Sequence, residues 1–221
     1  NGLQIEGSLN ITKIVSGVSA NLELIERAIE EKADAIFVHH GVFWDNESKI
    51  ISGAKRAKIA LLLKHNINLF GFHLPLDDHY EVGNNVELGR RLGIKNMEPV
   101  AGGLLWQGEL NTNISDFSKL IEEKLDRAPQ VFGKQSGKIK KISWCTGAAQ
   151  GFIEDAINLN VDLYLSGEVS EKTPAVAKEN NITFISAGHH ATERYGVQAL
   201  CKHLCSQFKL QHHYIEVDNS V

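Results

Sequence analysis

"KIVSGVSANLELIERAIEEKADAIFVHH", residues 13–40, decides the fold. Its opening "KIVSGVS" reads as a strand, "NLELIERAIEEKA" as an amphipathic helix, and "AIFVHH" as a buried strand. A strand, a helix and a second strand in that order predict parallel pairing, with the helix packed on a face of the sheet. In such sheets ligands gather beyond the carboxyl ends of the strands. His39 and His40 stand at that place.

The same alternation runs outward from this segment. A helix is expected around residues 54–66, a strand over 67–73, and a helix over 84–93 that closes at Gly93. A second series starts near residue 101. It comprises strands over 102–110, 140–147, 161–167, 182–188 and 212–217, and helices over 114–125, 151–160, 173–181 and 190–208. The pattern predicts an α/β protein of two lobes, residues 1–100 and 101–221, with mainly parallel sheets flanked by helices. No repeat between the lobes is evident in the sequence, and no low-complexity segment.

Composition narrows the functional classes. The 221 residues are 43% hydrophobic and 23% charged, ordinary for a globular protein. No apolar run reaches the roughly 18 residues that a membrane-spanning helix requires. The formal net charge is −4 with no basic tract, which makes nucleic acid a poor partner. The three cysteines, Cys145, Cys201 and Cys205, do not form the pattern of a secreted disulfide framework, so a reducing cytoplasm is expected. The ten histidines are clustered, which directs attention to metal.

Three strand ends carry them: His39 and His40 after "AIFV", His73 after "INLFGF", and His189 after "ITFISAG". His189 and Glu193 share a helix face at i,i+4, with His190 at i+3 the alternative that spacing leaves open. His73 precedes Asp77 by four residues, in a stretch that Pro75 marks as a turn rather than a helix. Strand alternation points His39 and His40 to opposite faces unless the strand ends there, and Gly41 supplies the freedom to end it. A single histidine at a strand end is more often structural, and a lone His-x-x-x-Glu more often a solvated pair. The joint occurrence favours metal. Four imidazoles and two carboxylates exceed the usual three protein ligands of a catalytic zinc and suit two ions sharing a water. Imidazole and carboxylate without thiolate accept iron, zinc, manganese or nickel.

"NGLQIEG", "VHHGVFW", "HLPLDDHYEVGNN", "LYLSGE" and "GHHATERYGVQAL" together resemble the NIF-three-like family, whose bacterial members are labelled GTP cyclohydrolase type 2 homologues. The resemblance covers nearly the whole chain in family order. It implies two α/β lobes in a toroidal homohexamer, with a dinuclear metal centre between the lobes, and an N-terminal helix ahead of "NGLQ". Its ligands would be His39, His40, His73, Asp77, His189 and Glu193, which favours His189 over His190. The family usually has His-Thr-Asn-Leu-Asp where this chain has "HLPLD", and Asp78 is the rival of Asp77.

Glu168 ends a strand near the expected centre, as a general base or as the group that orients a ligand imidazole. A helix-terminal acid facing the dipole is the plainer alternative. Trp44 belongs either to the pocket wall, stacking a base, or to the core, the commoner fate. Cys201, His203 and Cys205 read as structural, and His212 and His213 as surface or interface. The leading functional expectation is a dinuclear metal-dependent hydrolase of a small, anionic, phosphorylated or nucleotide-like substrate. No GxxxxGK[ST] loop accompanies it. The alternative is a metal-binding scaffold or regulatory protein that acts through protein partners without turnover.

Overall fold

The computed structural model describes residues 1–44, 47–100 and 103–221. Strand β1 is Gly2–Ile5 and β2 is Lys13–Ser19, followed by helix α1, Leu22–Glu30. Asn21 caps α1 by accepting the Leu24 amide at 2.8 Å. Leu24, Ile25 and Ala28 form the buried face of the helix. Strand β3, Ala35–His40, is covered on both faces, which is why its apolar run is nearly unbroken. Helix α2, Gly53–Lys64, then leads to β4, Asn68–Gly71.

These elements make a five-stranded sheet of order β1-β4-β3-β2-β11, where β11 is Gln211–Tyr214. β2, β3 and β4 run parallel, as does β11 beside β2, whereas β1 runs antiparallel to β4. One face packs Val15, Ile36, Val38 and Leu69 against Ile25 and Leu62. The other packs Ile14 and Ala35 against Cys201, on helix α8, His189–Phe208.

A second sheet has six strands. Helices α3, Leu74–Asp78, and α4, Asn84–Arg91, precede β5, Lys95–Pro99, and β6, Trp106–Asn113. Helix α5, Ile114–Leu125, leads to β7, Gln130–Gly133, and β8, Lys138–Cys145. A short 3-10 turn and α6, Ile153–Asn158, precede β9, Leu163–Ser166, and then come α7, Thr173–Glu179, and β10, Thr183–Ser186. The order is β5-β6-β8-β9-β10-β7. The central β8, β9 and β10 are parallel, and β5, β6 and β7 join antiparallel. Trp144, Phe117 and Leu165 anchor the core on one side, and Tyr164 and Phe184 on the other.

Parallel pairing thus holds through most of the first sheet and in the centre of the second. The strands absent from the sequence reading are β1, β5 and β7, short edge strands without clean apolar alternation. Gly102, with which one expected strand opens, lies outside the described residues. The chain divides into two compact units, Asn1–Leu76 with Gly196–Asp218, and Asp77–Tyr195 with Asn219–Val221.

The sequence shows no repeat, yet the path β2-α1-β3-α2-β4 recurs as β8-α6-β9-α7-β10. In each, an aspartate just ahead of the middle strand binds amides at the start of the first. Asp34 Oδ2 accepts from the Thr12 and Lys13 amides at 2.8 and 3.0 Å, and Asp162 Oδ2 from the Lys140 and Lys141 amides at 2.8 and 3.0 Å. Periodicity and one acid persist while the apolar residues differ, so the recurrence is topological and not one of identity.

Burial raises the Asp34 carboxyl, but the Lys13 and Thr12 amides and the Thr12 hydroxyl outweigh it and hold the group below its ordinary range. A depressed folded value contributes stability that is complete above the unfolded value and is lost as pH falls through the folded one. Asp34→Asn is therefore expected to cost about 1–3 kcal/mol in urea unfolding at pH 7. The gap from wild type should narrow below about pH 4, where the wild-type carboxylate itself begins to protonate.

Candidate metal centre

In the first unit, β3 and β4 are parallel neighbours with Val38 opposite Gly71, so their carboxyl ends lie side by side. That adjacency brings His73 to His39 and His40, although more than thirty residues separate them. Ring centroids are 4.7 Å apart for His39 and His40, 5.0 Å for His39 and His73, and 5.4 Å for His40 and His73. One ligating nitrogen from each lies within 4.8 Å of the others. Both members of the doublet contribute because the strand ends with them.

Their supports set which nitrogen is basic. His39 Nδ1 lies 2.8 Å from the Phe72 carbonyl, which can only accept, so Nδ1 carries the proton and Nε2 the lone pair. His40 Nδ1 lies 3.0 Å from Ser19 Oγ, on the paired position of β2. His73 is placed through its backbone, whose amide donates to Asn1 Oδ1 at 2.7 Å. Three imidazoles at this spacing match the donors that divalent transition ions take.

The second unit supplies acids. The expected turn at "HLPLD" is instead the short helix α3. Pro75 is compatible with it because a helix's first turn leaves its N–H groups without intrahelical acceptors. Asp77 is buried, whereas Asp78 is exposed, so burial selects Asp77 between the two rivals. Asp77 Oδ1 accepts from Asn84 Nδ2 at 2.9 Å and from Thr146 Oγ1 at 3.1 Å. Sequence reasoning missed both supports: Asn84 lies within "EVGNN" and Thr146 follows β8, and neither residue type announces such a role.

Helix α8 begins at His189, one residue earlier than the periodicity predicts. His189 Nε2 lies 3.0 Å from Glu193 Oε2, one turn on, and its Nδ1 lies 2.6 Å from Glu168 Oε1. Burial pulls the His189 imidazole down, but the hydrogen bonds and charges of Glu193 and Glu168 outweigh it and lift its pKa to about 9. His190 is buried, and its amide donates to the Val221 carbonyl at 3.0 Å.

Glu193 is 3% exposed and Asp77 5%, and a carboxylate oxygen of each lies within 4.8 Å of the other. Two buried carboxylates this close repel unless positive charge joins them. That spacing, with imidazole beside it, fits a divalent ion.

Other expectations resolve differently. Cys201 is buried and its thiol is pushed up to about 12 by burial, in keeping with a structural role. His212 Nε2 lies 2.8 Å from Ser16 Oγ, so this histidine is half-buried against β2 rather than a bare surface group. Trp44 departs from the commoner fate of core packing. It is 39% exposed and lies against His40 and His73, with ring centroids 5.5 and 5.1 Å away. Among the described residues, no helix is long and apolar enough to cross a membrane.

Comparison with known proteins identifies the family. The model of the Duf34/NIF3 (NGG1p interacting factor 3) family matches residues 1–220. A protein of Allochromatium vinosum named "GTP cyclohydrolase 1 type 2 homolog" is 49% identical over 223 residues, covering 99% of this chain and 88% of its own length. A Pseudomonas aeruginosa protein of the same name is 46% identical over 226 residues, covering 99% and 89%. Among solved structures, protein ybgI, of unknown function, matches with TM-score 0.94 and 41% identity over 100% of this chain and 90% of its own. A Thermus thermophilus protein matches with TM-score 0.90 and 29% identity, again over 100% and 90%.

Gly147 has φ +69°, and a Cβ there would overlap Glu193 Oε1. Gly147→Ala is expected to displace the Glu193 carboxylate, lowering retained metal at least about tenfold after dialysis. It should also cost about 1–3 kcal/mol in urea unfolding through backbone strain. Elemental analysis and denaturation read the two effects separately.

Proposed function

Because this chain belongs to the Duf34/NIF3 family, we propose that it holds two divalent ions and hydrolyses a small, anionic, phosphorylated or nucleotide-like substrate. Its ligands would be His39, His40 and His73 in the first unit and Asp77, His189 and Glu193 in the second. The observation that carries this reading is the pair of buried, closely spaced carboxylates, Asp77 and Glu193. The first set brings three imidazoles, the second two carboxylates and a fourth imidazole.

Ions held there would draw a nucleophile from water near neutral pH and offset negative charge developing on the substrate. Two divalent ions against two carboxylates leave a net charge of about +2, which favours an anionic substrate. Imidazole and carboxylate donors accept iron, zinc, manganese or nickel alike. The protein's own part is orientation. Asn84 and Thr146 hold one oxygen of Asp77, and the Phe72 carbonyl sets the His39 tautomer. Glu168, at 2.6 Å from His189 Nδ1, is better placed to orient that imidazole than to take a proton from substrate. The relatives' name points to a GTP cyclohydrolase-like reaction, a water-driven C–N cleavage. A cytoplasmic homohexamer, the assembly suggested by the sequence resemblance, completes the proposal.

The name NGG1p interacting factor favours a second reading, a metal-holding scaffold that works through protein partners. Metal-loaded protein offered a panel of nucleotides and phosphoesters separates the two. The hydrolase reading expects turnover that His39→Ala abolishes, and light scattering at six times the chain mass. The scaffold reading expects no turnover but a fall in thermal stability on chelation. Glu168→Ala is expected to weaken metal retention by about 10- to 100-fold. Glu168→Gln, which retains an oxygen acceptor for Nδ1–H, should lose less.

A further inference from the structure

We propose that the cleft beside His39 and His73 receives a planar heteroaromatic ring of the ligand, stacked on the solvent face of Trp44. This rests on the hydrolase reading above and names the part of the substrate that the first unit recognises. The three tryptophans are treated very differently by the fold. Trp106 and Trp144 are 3% and 0% exposed, whereas Trp44 is 39% exposed and its neighbour Phe43 is 44% exposed. Leaving two adjacent aromatic rings in water forgoes burial that Trp106 and Trp144 exploit.

Trp44 is exposed but not loose. His73 meets its indole edge-on, at 5.1 Å between centroids and 80° between planes, and His40 lies tilted against it at 5.5 Å and 46°. A ring braced on its inner side by two imidazoles has little rotameric freedom left to lose on binding. Phe43 is braced too, with Lys55 Nζ 5.0 Å above its ring centroid, which also places a cation at the rim.

The space in front of these rings is a cleft of about 110 Å³, lined by Gln4, Gly41, Phe43, Trp44, Gly71 and His73 among others. That volume admits one small ring system and not a whole nucleotide, so the remainder of a ligand would lie outside it. Gln4, reaching over from β1, accepts the Val42 amide at 2.8 Å and holds the loop that carries Trp44. Its side chain fills the position that a Cβ on Gly41 would occupy. Amide, imidazole and indole together suit a ring with polar edges better than a hydrocarbon. Stacking is tolerant of which base is presented, so the inference is to a heteroaromatic ring as a class.

Calorimetric titration of the full chain with three probes tests this: guanosine 5′-monophosphate, adenosine 5′-monophosphate, and ribose 5-phosphate as the ringless control. Wild type is expected to bind either nucleotide at least about tenfold more tightly than ribose 5-phosphate, with saturable quenching of tryptophan fluorescence. Removing a stacking partner weakens base binding by roughly 5- to 150-fold. Trp44→Ala should therefore abolish the preference while leaving ribose 5-phosphate binding in place. Trp44→Phe, which keeps a ring against the imidazoles, should retain most of it. Equal affinity for ring and ringless probes, no binding of any probe, or an unaltered preference in Trp44→Ala each overturns the proposal. Elemental analysis of the same samples separates it from the reading it rests on. A Trp44-dependent preference in a chain that takes up no metal supports the stacking site and overturns the hydrolase. Full metal uptake without the preference overturns the stacking site and leaves the hydrolase reading standing.

Discussion

A carboxylate taken out of water must find a positive counterpart, and two of them side by side must share one. Asp77 and Glu193 are in that position, both almost fully buried and within 4.8 Å at their oxygens. The neutral donors on Asp77, Asn84 Nδ2 and Thr146 Oγ1, ease its desolvation but bring no charge. His189 answers the need in part, because the hydrogen bonds and charges of Glu193 and Glu168 lift its pKa to about 9. A residue set that costs this much to keep dry is poor material for stability alone. The proposed ions rest on this close pair of buried acids more than on the number of histidines.

The backbone reaches these positions by using one path twice. Each unit contains three parallel strands joined by helices, and each carries candidate site residues at the carboxyl ends of the second and third strands. His39 and His40 end the second strand of the first unit and His73 follows the third, while Glu168 and His189 follow the second and third strands of the second unit. Parallel pairing makes neighbouring strand ends coincide, so residues far apart in sequence meet without any long-range pattern. Asp34 and Asp162 serve the same end from the opposite edge. Each gathers the amides at the opening of the first strand and so holds the register on which the far edge depends.

Beyond the ligands, loops carry the variable part of the site. The segment after β3 leaves Phe43 and Trp44 in water while the sheet beneath is dry, a common division between a rigid scaffold and the residues it presents. Gln4 belongs to an edge strand and yet holds this loop through the Val42 amide. The edge strand thereby contributes to the site as well as to the sheet.

The sequence by itself determined the α/β class, the alternation of strands and helices, and the strand ends that bear histidine. Those features are written in local hydrophobic periodicity, which acts within a few residues and needs no partner to be read. It also carried enough of the "HH", "HLPLD" and "HHATE" segments to identify the ligand candidates. Tertiary structure alone separates the buried Asp77 from the exposed Asp78, because adjacent acids look alike in sequence. It alone supplied Asn84, Thr146 and Ser19 as supports, since a side-chain hydrogen bond between separate elements leaves no local periodic signal. The edge strands β1, β5 and β7 were illegible for a related reason. Being short and solvated, they owe their conformation to the neighbour they pair with and not to an apolar pattern of their own. Trp44 shows the same limit: its composition pointed to the core, and only the bracing imidazoles of His40 and His73 explain why it stays at the surface.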